Sequence, residues 1–94
     1  MYLLRIEYTA PAESIEAIRP AHRAWLAELL ARGLVLVGGP LDDHTGGIAI
    51  LLHESREALD RDLAGDPYLA AGVARHRIEA FVSTMRHPAL ESIG

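Results

Sequence analysis

The segment Leu34-Val35-Leu36-Val37-Gly38-Gly39-Pro40, near the centre of the chain, is the strongest indication of the fold in the sequence. A short, continuously apolar run is typical of a strand that is buried on both faces. Gly38-Gly39-Pro40 is expected to end this strand, and the polar residues 41–47 are typical of a hairpin loop. Residues 48–53 form a second strand of the same doubly apolar kind. The sequence therefore predicts a buried β-hairpin at the centre of the chain.

A strand and a helix are predicted before this hairpin. Apolar and charged residues alternate over residues 2–8, which indicates a strand. From Ser14 the apolar spacing changes to three and four residues, which is typical of one helical stripe. The stripe consists of Ile15, Ile18, His22, Trp25, Leu26 and Leu29. Because proline lacks a backbone donor and clashes with the preceding turn, we expect the main helix to begin near Pro20, after a short helical turn. Gly33 is expected to end it.

The part after the hairpin predicts a helix in two pieces. Ser55 is the expected N-cap of a helix over roughly residues 56–63. Asp66-Pro67 then starts a second, short helix, which we expect to run to about Val73.

The last strand completes the predicted topology. Alternation that begins at Ile78 predicts a strand to about Arg86. The resulting order, β-α-β-β-α-β with a broken second helix, indicates one α+β domain of ferredoxin-like topology over residues 1–94. In this topology the helices cover one face of an antiparallel sheet. Because two strands are apolar on both faces, we expect a second copy of the chain to cover the other face, in a homodimer.

Composition excludes several classes of function. The chain of 94 residues contains neither cysteine nor lysine, which removes disulfides, thiol nucleophiles, thiolate metal sites and Schiff-base chemistry. The net charge is −4 and the nine arginines are scattered, so we expect no nucleic-acid partner. No apolar run approaches the roughly 18 residues that span a bilayer. The N-terminal residues resemble a strand more than a signal peptide. We therefore expect a cytoplasmic protein that has no membrane partner.

His22 is the polar member of the helical stripe, so we expect its imidazole to point at the sheet. A buried imidazole costs free energy unless its nitrogens find partners. One interpretation is a structural histidine that bonds to a backbone carbonyl. The other is a catalytic base, in which a carboxylate bonds one nitrogen and leaves the second free. Asp66 has two compatible interpretations as well, because a carboxylate that caps a helix still has an oxygen available for catalysis.

Several other residues have a structural and a functional interpretation. Gly38, Gly39 and Pro40 either form a turn or allow a ligand to approach the backbone closely. Tyr68 lies either in the core or in the wall of a pocket. Asp42-Asp43-His44 is expected to be a solvated turn, so no metal site and no cofactor are predicted. The remaining histidines are expected at the surface; they are His53, His76 and His87.

Three segments resemble the YCII family of small bacterial proteins. They are Arg19-Pro20-Ala21-His22, Gly33 with residues 36–41, and Asp66-Pro67-Tyr68 with Ala71-Gly72. The resemblance extends from residue 2 to about residue 81. It implies a ferredoxin-like fold, a dimer of the dimeric α/β-barrel kind, and an active site with a histidine and an aspartate, here His22 and Asp66. One branch of the family is similar to a dehydrochlorinase that acts on chlorinated hydroxyhydroquinones.

Two functions follow as hypotheses. The first is a small cofactor-free enzyme that eliminates, isomerises or dehydrochlorinates a small cyclic compound. In it His22 is the general base or acid, and Asp66 holds the tautomer of His22 and stabilises the imidazolium. Substrate would bind near Gly38, Gly39, Pro40 and Tyr68. The alternative is a non-catalytic, dimeric module that binds a small molecule.

Overall fold

The alternating residues near the N-terminus form the central strand of a four-stranded antiparallel sheet. The computed structural model describes residues 1–93. Its elements are β1 (Tyr2–Tyr8), α1 (Ala12–Ala31), β2 (Val35–Pro40), β3 (Gly46–Leu51), α2 (Arg56–Leu63), α3 (Pro67–Ala70), β4 (Ala74–Ala80) and a 3-10 turn (Pro88–Leu90). The strand order is β2-β3-β1-β4. The predicted α+β ferredoxin-like topology, with its second helix broken into α2 and α3, is confirmed.

The core lies between one face of this sheet and the helices. Leu4 of β1 pairs with Ala49 of β3, and both side chains are buried beneath the helices. Leu51 and, from α1 and α2, Ile15 and Leu59 are almost fully buried in the same layer. Among residues 1–93, no helix is long and apolar enough to cross a membrane.

Three predicted helix ends are confirmed. The Ser55 hydroxyl accepts a hydrogen bond from the backbone N–H of Ala58 at 3.1 Å, so it caps α2. Gly33 has a φ of +77° and ends α1. The backbone N–H of Leu34 then donates to the carbonyl of Leu29, and that of Gly33 donates to Leu30, which is a Schellman motif. The third end is the Asp66 cap of α3, which belongs to the site described below.

The prediction that the main helix begins near Pro20 is wrong. α1 is one helix of 20 residues with Pro20 inside it. A proline in a helix interior costs about 3 kcal/mol. The apolar stripe runs past it on both sides and buries Ile15 and Leu29. At about 1.5–3 kcal/mol for each large buried side chain, burial of this stripe offsets the cost of the proline.

The expected boundaries of two strands are also wrong. Gly38, Gly39 and Pro40 do not end β2; they are its last three residues. Because β2 is an edge strand, it tolerates the missing N–H of Pro40. A Cβ atom at Gly38 would lie 3.0 Å from the carbonyl oxygen of Ile48, so glycine allows this strand to approach β3 closely. β4 covers Ala74–Ala80 and therefore begins and ends earlier than expected.

Candidate active site

His22 lies in the middle of α1 with its ring directed into the protein. It is 7% exposed, and its Nδ1 atom is 2.7 Å from Oδ1 of Asp66. The ring stacks on that of Tyr68, with 3.9 Å between the ring centroids and 17° between the planes. Among residues 1–93 its Nε2 atom has no hydrogen-bond partner. The helical stripe thus orients the ring, and a carboxylate and an aromatic ring hold it.

Asp66 is fully buried at the junction of α2 and α3. Its Oδ1 accepts the backbone N–H of Tyr68 at 3.0 Å, which confirms the predicted helix cap. Its Oδ2 lies 2.7 Å from Nε2 of His76. Burial alone raises the pKa of the Asp66 carboxyl, but hydrogen bonds from His22 and His76 outweigh it and bring this pKa down to about 2. Asp66 is therefore ionised near neutral pH, and it can only accept hydrogen bonds.

His76 was expected at the surface, and that prediction is wrong. It lies within β4 opposite Ile6, on the face that the helices cover, and its side chain is only 8% exposed. The misplaced start of β4 caused the error. The alternation of Ile78 and Ala80 extends back by two residues to His76 and by four to Ala74. That period of two was the available sign that His76 points inward.

A cavity of about 430 Å³ opens beside His22, between α1 and the hairpin of β2 and β3. Every residue that the sequence suggested for substrate binding lines it, namely Gly38, Gly39, Pro40 and Tyr68. His22 also lines it, whereas Asp66 lies behind His22 and does not. Most other lining side chains are apolar; they include Ile6, Leu26, Leu30, Val35, Val37, Ile48 and Ala49. The cavity is therefore an apolar chamber with an imidazole in its wall.

Three polar residues of the cavity were not identified from the sequence. Arg19 and Arg23 lie on α1 three residues before and one residue after His22, and Tyr8 ends β1. The side chain of Tyr68, followed by that of Tyr8, raises the pKa of Arg19, and burial raises the pKa of the Tyr68 hydroxyl. The two arginines could have been identified from the sequence, because they lie close to His22 on the same helix. Together they give the cavity positive charge and hydroxyl groups.

A second His–Asp pair lies away from this cavity. His53 follows β3, and its Nε2 atom lies 2.7 Å from Oδ2 of Asp62. The His53 side chain is 1% exposed, so the prediction that it lies at the surface is wrong. Both oxygens of Asp62 also accept from the guanidinium of Arg32. His87 is exposed, as predicted, and caps the 3-10 turn.

The acidic turn of the hairpin forms hydrogen bonds within itself. Oδ1 of Asp43 accepts from both the backbone N–H and the hydroxyl of Thr45. Its neighbour Asp42 and the positive-φ residue His44 are both exposed. Within residues 1–93, no group of three or more histidine and acidic side chains is arranged to hold a metal ion.

Comparison with solved structures relates this fold to two proteins. 5-Chloro-2-hydroxyhydroquinone dehydrochlorinase of Burkholderia phenoliruptrix AC1100, solved in complex with 2,5-dihydroxybenzoquinone, superposes with a TM-score of 0.69 and 26% identity, over 87% of this chain and 94% of that one. Rv0793 of Mycobacterium tuberculosis superposes with a TM-score of 0.60 and 14% identity, over 90% of this chain and 98% of that one. The chain has the fold of the dimeric α/β-barrel proteins.

Comparison of sequences gives the family. Protein YciI of Escherichia coli O6:H1 is 37% identical over 78 residues, which cover 69% of this chain and 80% of that protein. Protein YciI of Shigella flexneri matches to the same extent. The family model described as the YCII-related domain matches residues 1–82. The chain therefore belongs to the YCII family.

Proposed function

We propose that this protein is a small enzyme that performs cofactor-free proton transfer on a small cyclic compound, with His22 as the base. The main support for this proposal is the position of His22 between a buried carboxylate and a cavity. One ring nitrogen is 2.7 Å from a buried carboxylate, and the ring lines a cavity large enough for a small molecule. A histidine in this position can move a proton between the cavity and itself while the carboxylate holds its ring.

The ionisation of Asp66 determines which nitrogen of His22 is the base. Because an ionised carboxylate only accepts hydrogen bonds, the Nδ1–H of His22 donates to it. The lone pair is then on Nε2, which has no hydrogen-bond partner among residues 1–93. When Nε2 takes a proton from the substrate, the ring becomes an imidazolium beside the Asp66 carboxylate. That ion pair stabilises the state in which negative charge develops on the substrate.

The cavity favours a planar compound with an acidic oxygen. Its apolar wall suits a ring, and Arg19 and Arg23 supply positive charge for a phenolate or enolate oxygen. The glycines of β2 leave the backbone open on the opposite wall; nothing lies within 4 Å of a Cβ atom built at Gly39. The 26% identity with a dehydrochlorinase of a chlorinated hydroxyhydroquinone supports this class of substrate. In such an elimination His22 removes the proton and chloride leaves with the bonding electrons.

A turnover screen tests the proposal. Small phenols, hydroquinones and their chlorinated forms are incubated with the protein, and chloride release, absorbance changes and deuterium uptake from heavy water are recorded. We expect turnover of at least one compound by the wild-type protein and a rate lower by about 10²–10⁴-fold in His22→Ala, whereas His87→Ala retains the wild-type rate. Saturable binding with no turnover of any bound compound would overturn the proposal and favour a small-molecule-binding module instead.

We further propose that the protein is a cytoplasmic homodimer that forms through the sheet face away from the helices. On that face Leu3 of β1 pairs with Ile50 of β3, and both residues are only half-buried. The chain exposes 6115 Å², against about 5,300 Å² for a compact monomer of its mass. A specific dimer buries about 1,200–2,000 Å². We expect light scattering to give twice the chain mass at micromolar concentration and Leu3→Asp to give the monomer. A monomeric wild-type protein would contradict the proposal.

A further inference from the structure

The two oxygens of the Asp66 carboxylate have different partners. Oδ1 accepts two hydrogen bonds, from the His22 ring and from the backbone N–H of Tyr68. Oδ2 has one partner among residues 1–93, the Nε2 atom of His76 at 2.7 Å. A buried carboxylate oxygen without a donor keeps its full desolvation cost. His76 therefore supplies the hydrogen bond to the second oxygen of a fully buried carboxylate.

His76 also helps to fix the direction of the carboxylate. Rotation about the Cβ–Cγ bond moves both oxygens together, so the hydrogen bond at Oδ2 adds to the restraint that the two bonds at Oδ1 provide. The strand holds His76 in turn, because β4 pairs with β1 along its whole length and places His76 opposite Ile6. A rigid strand thus positions the carboxylate that receives the His22 ring.

The protonation state of Asp66 controls the tautomer of His22. An ionised Asp66 accepts a proton from Nδ1 and leaves the lone pair on Nε2, facing the cavity. A protonated Asp66 would instead donate to Nδ1, and the ring proton would move to Nε2. Removing the donor at Oδ2 destabilises the ionised carboxylate, because the charged form loses a hydrogen bond while it stays buried, and this weakens its preference for a His22 ring with the proton on Nδ1.

We propose that His76 is a positioning residue that acts through Asp66 to keep the ring proton of His22 on Nδ1 and the lone pair of Nε2 toward the cavity. This inference rests on the proposed role of His22 as a base. It assigns a function to a histidine that does not touch the cavity. The backbone N–H of Tyr68 does not have this role, because it donates to Oδ1 and not to Oδ2.

The unaltered protein provides the first test. Long-range proton–nitrogen correlations in a ¹⁵N-labelled sample, recorded above the titration range of histidine, show which nitrogen of each ring carries the proton. We expect the proton of His22 on Nδ1 and that of His76 on Nε2. A His76 ring with its proton on Nδ1 could not donate to Asp66 and would overturn the inference. So would a His22 ring with its proton on Nε2.

Two variants provide the second test. His76→Phe keeps a planar ring but has no donor, whereas His76→Gln keeps an N–H that can reach Oδ2. We expect the nitrogen shifts of His22 in His76→Phe to move from the Nδ1–H pattern toward the average of the two tautomers, and to stay at the wild-type values in His76→Gln. The exposed-site control His87→Gln leaves it unchanged. A folded His76→Phe in which His22 keeps the wild-type pattern would overturn the inference.

The readout separates this inference from the proposed function. If the tautomers are as expected and no compound is turned over, the proposed function fails and the positioning role stands. If turnover is found and substitution of His76 leaves the tautomer of His22 unchanged, the positioning role fails and the proposed function stands. Should His76→Phe not fold, the wild-type tautomers and His76→Gln still decide the question.

Discussion

Residues 1–93 contain two clusters in which a buried histidine meets an aspartate, and they differ in what surrounds the second ring nitrogen. In the core cluster, formed by His22, Asp66 and His76, both histidine–aspartate distances are 2.7 Å; His22 lines the cavity, and its Nε2 atom has no hydrogen-bond partner among these residues. In the rim cluster, formed by His53, Asp62 and Arg32, the His53–Asp62 distance is again 2.7 Å. There, however, the Nδ1 atom of His53 is buried and has no hydrogen-bond partner in the described part of the chain. A His–Asp pair by itself is therefore no evidence of an active site. The two clusters are distinguished by whether the second ring nitrogen of the histidine is accessible from a cavity.

The two aspartates also differ in how their charge is stabilised. Hydrogen bonding to the Arg32 guanidinium is the largest influence that lowers the pKa of Asp62, and His53 adds to it. The Arg32 and Asp62 side chains are 48% and 21% exposed, so water screens this pair. Within residues 1–93 Asp66 has no arginine partner; two imidazoles and a backbone N–H stabilise a carboxylate that water does not reach. The rim cluster joins α1 to α2, whereas the core cluster holds a buried charge next to a cavity.

The largest difference is expected in turnover. Loss of a general base costs about 10²–10⁴-fold in rate. We expect His22→Ala to lose turnover by about that factor and His53→Ala to keep it within about twofold, because His53 does not line the cavity. Steady-state kinetics on a substrate from the screen measure both. Equal losses in the two variants would remove the distinction between the clusters.

The next largest difference is expected in stability. Asp66→Ala deletes a helix cap and leaves two imidazoles unpaired, so we expect a loss of about 3–5 kcal/mol in the free energy of unfolding. Asp62→Ala breaks a partly exposed pair and should cost about 1–2 kcal/mol. Asp66→Asn still caps α3 and should lie between them. Denaturant unfolding measures the free energy of unfolding of each variant and checks this order. An Asp62→Ala protein that is less stable than Asp66→Ala would contradict it.

Acid should affect the core cluster more strongly than the rim cluster. Folding lowers the pKa of Asp66 from 3.8 to about 2, so its charge stabilises the fold above pH 4. This contribution, about 2 kcal/mol, is lost as the pH falls through about 2. The groups that face Asp66 are His22 from α1, His76 from β4 and the backbone of Tyr68 from α3. We expect the slope of stability against pH to flatten between pH 4 and about 2 in Asp66→Asn, compared with Asp62→Asn. Identical slopes would refute this.

Sequence reasoning predicted two of the three residues of the core cluster. Helical spacing placed His22 on the inward face, capping chemistry placed Asp66 at a helix start, and the family resemblance joined them. Local rules could not join them, since the two residues are 44 positions apart and meet only through the packing of α1 against α3. His76 was missed because the last strand was started at Ile78, which left His76 outside the alternating pattern.

The errors in the fold have a similar origin. Rules about local conformation predicted that the main helix begins near Pro20 and that β2 ends at its glycines. In the structure, burial determines the extent of α1 and the edge position determines that of β2. The rim cluster was missed for the same reason. His53 follows a strand, where a histidine is usually solvated, and only the fold places Asp62 above it.

One measurement tests most directly whether the core cluster faces a substrate and the rim cluster does not. Small phenols and quinones, including 2,5-dihydroxybenzoquinone, are titrated into ¹⁵N-labelled protein while the histidine ring nitrogens are observed. We predict that a compound whose binding shifts the backbone amides of Gly38 and Gly39 also shifts Nε2 of His22 and leaves His53 unchanged. Binding at those glycines with His22 unmoved, or no binding by any compound, would contradict the account.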